Sequence, residues 1–139
     1  MDFEFDINNA KKMRPSVEKL LMSVVDEGYE NIEDHPGFGG LSFTKDIFLK
    51  GVKKYRDEDP DFYLEMMDYE DEKDAVKNIV SNVFSTYVRN KINDGSISKS
   101  NEIDSIKREA KATFRGYTRI DDTVDRLKKR LERLNRKSN

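Results

Sequence analysis

The sequence predicts a mainly α fold, a compact bundle of five or six helices, with a minor short-strand pairing as its only β element. Two observations lead there. In residues 72–92, EKDAVKNIVSNVFSTYVRNKI, apolar side chains fall at Val76, Ile79, Val80, Val83, Phe84, Tyr87, Val88 and Ile92. This is the i, i+3, i+4, i+7 spacing of one helix face, held for about five turns. Shorter stretches with the same spacing lie on both sides, each bounded by Pro, Gly or an Asn-Asp-Gly stop. No stretch is as apolar as 72–92, so the other helices are expected to pack against it.

Composition sets the limits. The chain has 139 residues, which fits a single domain over 1–139. A domain of that size buries roughly 68% of its unfolded surface and needs no metal or disulfide to fold. Hydrophobic residues make up 35% and charged residues 39%, so the core is lean and the surface heavily charged. Cys is absent, which excludes disulfides, thiolate catalysis and Cys-ligated metal. The first residues, MDFEFDINNA, are acidic where a signal peptide is basic. No run approaches the ~18 apolar residues of a membrane span. A cytoplasmic protein is expected.

Taken in order, Phe3, Phe5 and Ile7 alternate with Asp2, Glu4 and Asp6, the period of a short strand. Residues 41–43 and 117–120 are its candidate partners. Pro15 suits a helix N1 position, and Val17, Leu20, Leu21, Val24 and Val25 share one face. A helix is predicted over 15–27, with Gly28 as its C′ residue. Residues 29–40 read as a loop. Its glycines Gly37, Gly39 and Gly40 lack the spacing and the Lys-Ser/Thr of a phosphate-binding loop.

Ser42 or Thr44 caps the next helix, which buries Ile47, Phe48, Val52 and Tyr55 and carries Gly51 at a cost of ~1 kcal/mol relative to Ala. Asp59-Pro60 reads as N-cap and N1 of a further helix, with Phe62, Tyr63, Met66 and Met67 apolar and an end near Tyr69. Asn93-Asp94-Gly95 stops the helix of 72–92. Ser100 or Asn101 caps a helix reaching about Phe114, with Ile103, Ile106, Ala110 and Phe114 inward. Gly116 breaks it, and Asp121 or Asp122 opens the last helix.

Charge is the main functional signal. Residues 1–75 carry net −10 and residues 76–139 net +8. The chain thus has an acidic N-terminal part, 1–92, and a basic helical C-terminal part, 100–139. Such asymmetry points to a charged partner, or to the two parts lying against each other. Residues 57–74 hold ten carboxylates against one Lys, Lys73. Asp57, Asp59 and Asp61 have the spacing that begins a calcium-binding EF loop. The pattern then fails, because Phe62 stands where Gly is required and Pro60 intrudes. No metal site and no cofactor are expected. The lone histidine, His35, has no identifiable catalytic partner.

An electrostatic reading fits the acidic run better. Asp61, Glu65, Asp68 and Glu72 would line one side of a continuing helix and imitate a row of phosphates. With Asp59, Glu70 and Asp71 they form the candidate partner-binding surface, facing the basic groove of a nucleic-acid-binding protein.

The C-terminal helix gives the alternative. Arg126, Lys128, Lys129, Arg130, Arg133, Arg136 and Lys137 crowd it, and Arg binds phosphate with a bidentate fork. Residues 120–135 resemble the second helix of a helix-turn-helix, with Gly116 in the turn. Asp121, Asp122 and Asp125 stand where base-reading residues would sit, and they repel phosphate. Val124, Leu127, Leu131 and Leu134 form an a/d seam that docks on the 72–92 helix, joins two copies as a homodimer, or docks on a partner's helix.

The function expected is that of a non-catalytic interaction or regulatory protein with charge-segregated surfaces. It would be an inhibitor or adaptor of a nucleic-acid-binding machine, of the kind small mobile-element proteins provide. The alternative is direct DNA or RNA binding through the basic C-terminal helix.

Overall fold

In a computed structural model of the chain, which describes residues 14–33 and 43–138, six helices follow one another. They are α1 Pro15–Glu33, α2 Lys45–Glu58, α3 Pro60–Met66, α4 Glu72–Asn93, α5 Ser100–Thr113 and α6 Ile120–Ser138. The apolar 72–92 stretch is α4, and α1, α2, α3 and α6 all pack on it. α5 closes the arrangement by packing on α1 and α6. Because α4 has neighbours on several sides, its buried residues exceed one stripe. Ala75 and Ser85 are buried alongside Val76, Ile79, Val80, Val83, Phe84, Val88 and Ile92. Tyr87 is half-buried at the edge of the core.

The caps follow from local chemistry. Thr44 Oγ1 accepts the Ile47 N–H at 3.3 Å and starts α2. Asp59 accepts the Phe62 N–H at 3.4 Å, with Pro60 at the first position of α3. α5 is capped differently from expectation. Ser100 is already helical, and Glu102 reaches back to accept the N–H groups of Ser98 at 2.8 Å and Lys99 at 3.3 Å. A carboxylate on the first turn also complements the positive end of the helix.

Gly28 departs most from the sequence reading. It does not end α1, which continues to Glu33. A Cβ at Gly28 would lie 2.0 Å from the Thr113 carbonyl oxygen of α5. The glycine is therefore needed for the close crossing of α1 and α5, and packing carries the helix through it. Tyr29, assigned to a loop by composition, is buried in α1, and its hydroxyl donates to the Phe43 carbonyl at 2.7 Å. Burial raises the pKa of that hydroxyl above its ordinary value.

Among the described residues there is no strand. Phe3, Phe5, Ile7, Leu41 and Ser42, with His35 and the glycines Gly37, Gly39 and Gly40, lie outside them. The strand proposed over 117–120 is corrected. Tyr117 sits in the turn after α5, its N–H bonded to the Phe114 carbonyl at 2.9 Å, and Ile120 begins α6. Gly116 has φ of 83°, a left-handed conformation that glycine adopts without a Cβ clash.

Phe43, buried at 1% exposure, enters an aromatic cluster instead of a strand. Its ring centroid lies 5.9 Å from Phe48 and 5.8 Å from Phe84. Phe114 joins the cluster at 4.9 Å from Phe48 and 5.9 Å from Tyr29. One apolar core includes residues of all six helices.

α6 is held on the body by its leucine face. Val124, Leu127 and Leu131 are buried, and Leu134 is half-buried against the core. The a/d seam is thus occupied by the chain's own α4 and α5, so a homodimer through these residues would first require α6 to undock.

Polar clasps flank the seam. Lys107 and Lys111 of α5 reach Asp121 at 2.6 and 2.9 Å, and Lys128 reaches Asp104 at 2.9 Å. Hydrogen bonds from Lys107 and then Lys111 hold the Asp121 carboxyl at about 2, below its ordinary 3.8. A depressed carboxylate pKa contributes stability that is complete above the unfolded value and lost as pH falls through the folded one. The Asp121 clasp is therefore expected to weaken between about pH 4 and pH 2. A carboxyl-carbon NMR titration should place Asp121 near 2, and Asp121→Asn should flatten the same part of the stability–pH profile. A midpoint at the ordinary value would contradict the clasp. The Asp121 carboxylate is 64% exposed, so solvent screens the clasp and its energetic effect is small.

Candidate interaction surfaces

All seven acidic residues singled out from sequence are exposed: Asp59, Asp61, Glu65, Asp68, Glu70, Asp71 and Glu72. They do not form the expected row along one helix. α3 ends at Met66, and α4 begins at Glu72 with Asp71 as its N-cap, accepting the Lys73 N–H at 2.8 Å. Asp68 and Glu72 consequently belong to a turn and to the next helix. Helix propagation stops because the Met67 N–H is shared between the Tyr63 and Leu64 carbonyls at 3.3 and 3.1 Å, a tightened last turn.

The turn that replaces the helix has a defined shape. The Tyr69 N–H bonds the Met67 carbonyl at 2.8 Å. The Arg14 guanidinium donates to the carbonyls of Met67 at 3.2 Å, Tyr69, and Glu70 at 3.4 Å. A cation at the C-terminal end of α3 satisfies orphan carbonyls and complements the helix dipole. Arg14 is thereby used on backbone oxygens. Among the described residues, the carboxylates of Asp61, Glu65, Asp68, Glu70 and Glu72 have no hydrogen-bond or ion-pair partner.

Tyr69 projects from this turn between Asp68 and Glu70. At 37% it is one of two exposed large hydrophobic side chains among the described residues, the other being Met22. Sequence reading treated Tyr69 only as a helix end and gave Arg14 no role. The available signal for Tyr69 was an aromatic residue set within an otherwise acidic run. Arg14 is far away in sequence and left none.

On α6 the seven basic candidates divide. Arg126, Lys129, Arg133, Arg136 and Lys137 are exposed. Lys128 is used on Asp104, and Arg130 donates to Asn93 Oδ1 of α4 at 3.0 Å. Among the described residues no carboxylate of 59–72 pairs with a cation of α6, so the opposed charges of the two parts are not neutralised by direct contact there.

A groove of about 320 Å³ opens between α2 and α4. Ile47, Gly51, Tyr55, Val83 and Tyr87 line it, and Lys50 and Lys54 border it. Sequence reading did not find it, because its walls come from two helices about 30 residues apart. The Tyr55 hydroxyl is hydrogen-bonded to Thr86 Oγ1 across the groove.

Among the described residues, no three acidic or histidine side chains converge as a metal site requires. No described helix is long and apolar enough to cross a membrane. Comparison of the chain with protein-family models, curated proteins and solved structures found no match.

Proposed function

We propose that the protein is a non-catalytic interaction module that docks on the basic surface of a protein partner through the turn between α3 and α4. The observation that carries this reading is the turn itself: Tyr69 stands among unpaired carboxylates on a backbone held in place by Arg14. Interfaces draw most of their binding energy from a few central residues, with Tyr, Trp and Arg over-represented. Carboxylates around such an anchor steer a basic partner into place and disfavour acidic ones. A turn already shaped by hydrogen bonds loses little further freedom on binding. Occupying a basic groove in this way would make the protein an inhibitor or adaptor of a nucleic-acid-binding machine.

Comparative capture from a cell extract tests the reading. Asp68→Lys/Glu70→Lys reverses two unpaired charges, and Tyr69→Ala removes the anchor. Asp71 is left intact because its side chain caps α4. Wild type is expected to retain a basic, nucleic-acid-binding protein that both variants bind at least ~10-fold more weakly. All altered side chains are exposed, so stability should stay within about 0.5 kcal/mol. Equal capture by wild type and both variants would overturn the proposal.

A further inference from the structure

We infer that the outer face of α6 is a second, independent docking surface, one that takes the phosphate backbone of a nucleic acid without reading its sequence. The first support is that the rotation of α6 about its own axis is fixed. Val124, Leu127 and Leu131 are buried, Lys128 is paired with Asp104, and Arg130 is bonded to Asn93. The outer face is therefore set, and it carries Arg126, Lys129, Arg133 and Arg136 at spacings of three, four and three, with Lys137 beside them. Among the described residues these five cations have no carboxylate partner.

At ~1.5 Å per residue, the stripe from 126 to 136 is about 15 Å long. One strand of duplex places a phosphate every ~3.4 Å along the axis, so several phosphates fall within that reach. Three of the five cations are Arg, whose fork matches phosphate oxygens in pairs.

The exposed carboxylates of α6 narrow the reading further. Asp121, Asp122 and Asp125 occupy its first turns and are exposed. Asp121 is held by Lys107 and Lys111, but Asp122 and Asp125 have no ion-pair partner among the described residues. These two repel phosphate and bar that end from the major groove, so contact falls to the 126–137 end. Glu132 is the one exposed carboxylate within it. A recognition helix reads bases mainly with its N-terminal residues, so backbone contact without base contact is what this charge order allows. An anionic membrane fits less well. A surface-lying helix must bury its apolar face in the bilayer, and that face of α6 is already in the core.

The test uses the full chain with two labelled 20-bp duplexes of unrelated sequence, read by fluorescence anisotropy at 50 and 200 mM salt. About four phosphate contacts give a log–log salt slope near −3.6, so affinity should fall ~10²-fold between these conditions. The two duplexes should bind equally. Arg133→Glu/Arg136→Glu should bind at least ~10-fold more weakly and lower the slope magnitude by ~2. Lys128→Gln, whose amine is used on Asp104, should leave the slope unchanged. Asp68→Lys/Glu70→Lys should retain duplex binding, which separates this surface from the acidic one. The inference is overturned if the full chain fails to bind duplex at 50 mM salt. It is equally overturned if the double reversal leaves affinity unchanged while the protein stays folded by circular dichroism, or if one duplex is strongly preferred. Capture of an acidic protein by α6 with no duplex binding would likewise assign the face to protein.

Discussion

Replacing Phe114 with Ala is expected to destabilise the protein by about 3–5 kcal/mol, the usual cost of removing a fully buried aromatic side chain. Phe114 is 0% exposed and meets rings from three other segments: Phe48 of α2, Tyr29 of α1, and Phe43 ahead of α2. It also closes α5, its N–H bonding the Ala110 carbonyl at 2.8 Å. Truncation leaves a void between segments that are held apart by their own helices, so the cavity cannot collapse fully and the transfer and cavity costs add. Domains are typically stable by only ~5–15 kcal/mol, and at this size each kcal/mol is roughly 3–5 °C in Tm. A drop of about 10–20 °C is the expected reading. Tyr69→Ala, at an exposed site, should change Tm by no more than about 2 °C. A loss below about 1 kcal/mol for Phe114→Ala would mean that the aromatic cluster does not hold the N-terminal and C-terminal helices together as described.

What the sequence makes legible follows from which forces are local. α4 was legible because its apolar period runs uninterrupted, and α2 and α3 because Thr44 and the Asp59-Pro60 pair are capping chemistry acting within three residues. The inward faces of α5 and α6 were legible for the same reason as α4. What was missed depends on distant neighbours. Gly28 carries the same local signature whether it ends a helix or admits another one, and only the presence of Thr113 decides. The predicted acidic row required the helix opened by Pro60 to continue through Glu72, and it ends at Met66. Its early end is tied to Arg14, about 53 residues away from Met67. The basic helix was read correctly as basic and amphipathic. Which cations are used on Asp104 and Asn93 was not visible in one dimension.

Gly28→Ala gives the clearest sign test of that lesson. If Gly28 were an ordinary glycine inside a helix, alanine would stabilise α1 by about 0.5–1 kcal/mol. The structure predicts the opposite, a net loss of about 2–3 kcal/mol. The added Cβ would sit 2.0 Å from the Thr113 carbonyl oxygen and 3.0 Å from its carbon, and a helix backbone cannot swing away as a side chain can. α1 and α5 would have to separate, loosening Val25 and Ala110, both buried in the shared core. Thr113→Ala should not rescue the variant, since the obstacle is main chain.

Gly51 supplies the contrast. There a Cβ would meet Val83 Cγ1 of α4 at 2.7 Å, a side-chain atom. Val is stiff at χ1 in a helix, so Gly51→Ala should still cost about 1 kcal/mol net of its propensity gain. Here the double variant Gly51→Ala/Val83→Ala should recover at least about 0.5 kcal/mol relative to additivity. Rescue at 51 with no rescue at 28 in thermal or urea unfolding would establish that α2 and α4 meet through side chains and that α1 and α5 meet main chain to main chain. A stabilised Gly28→Ala protein would overturn the α1–α5 crossing, and with it the placement of α5 that supports α6.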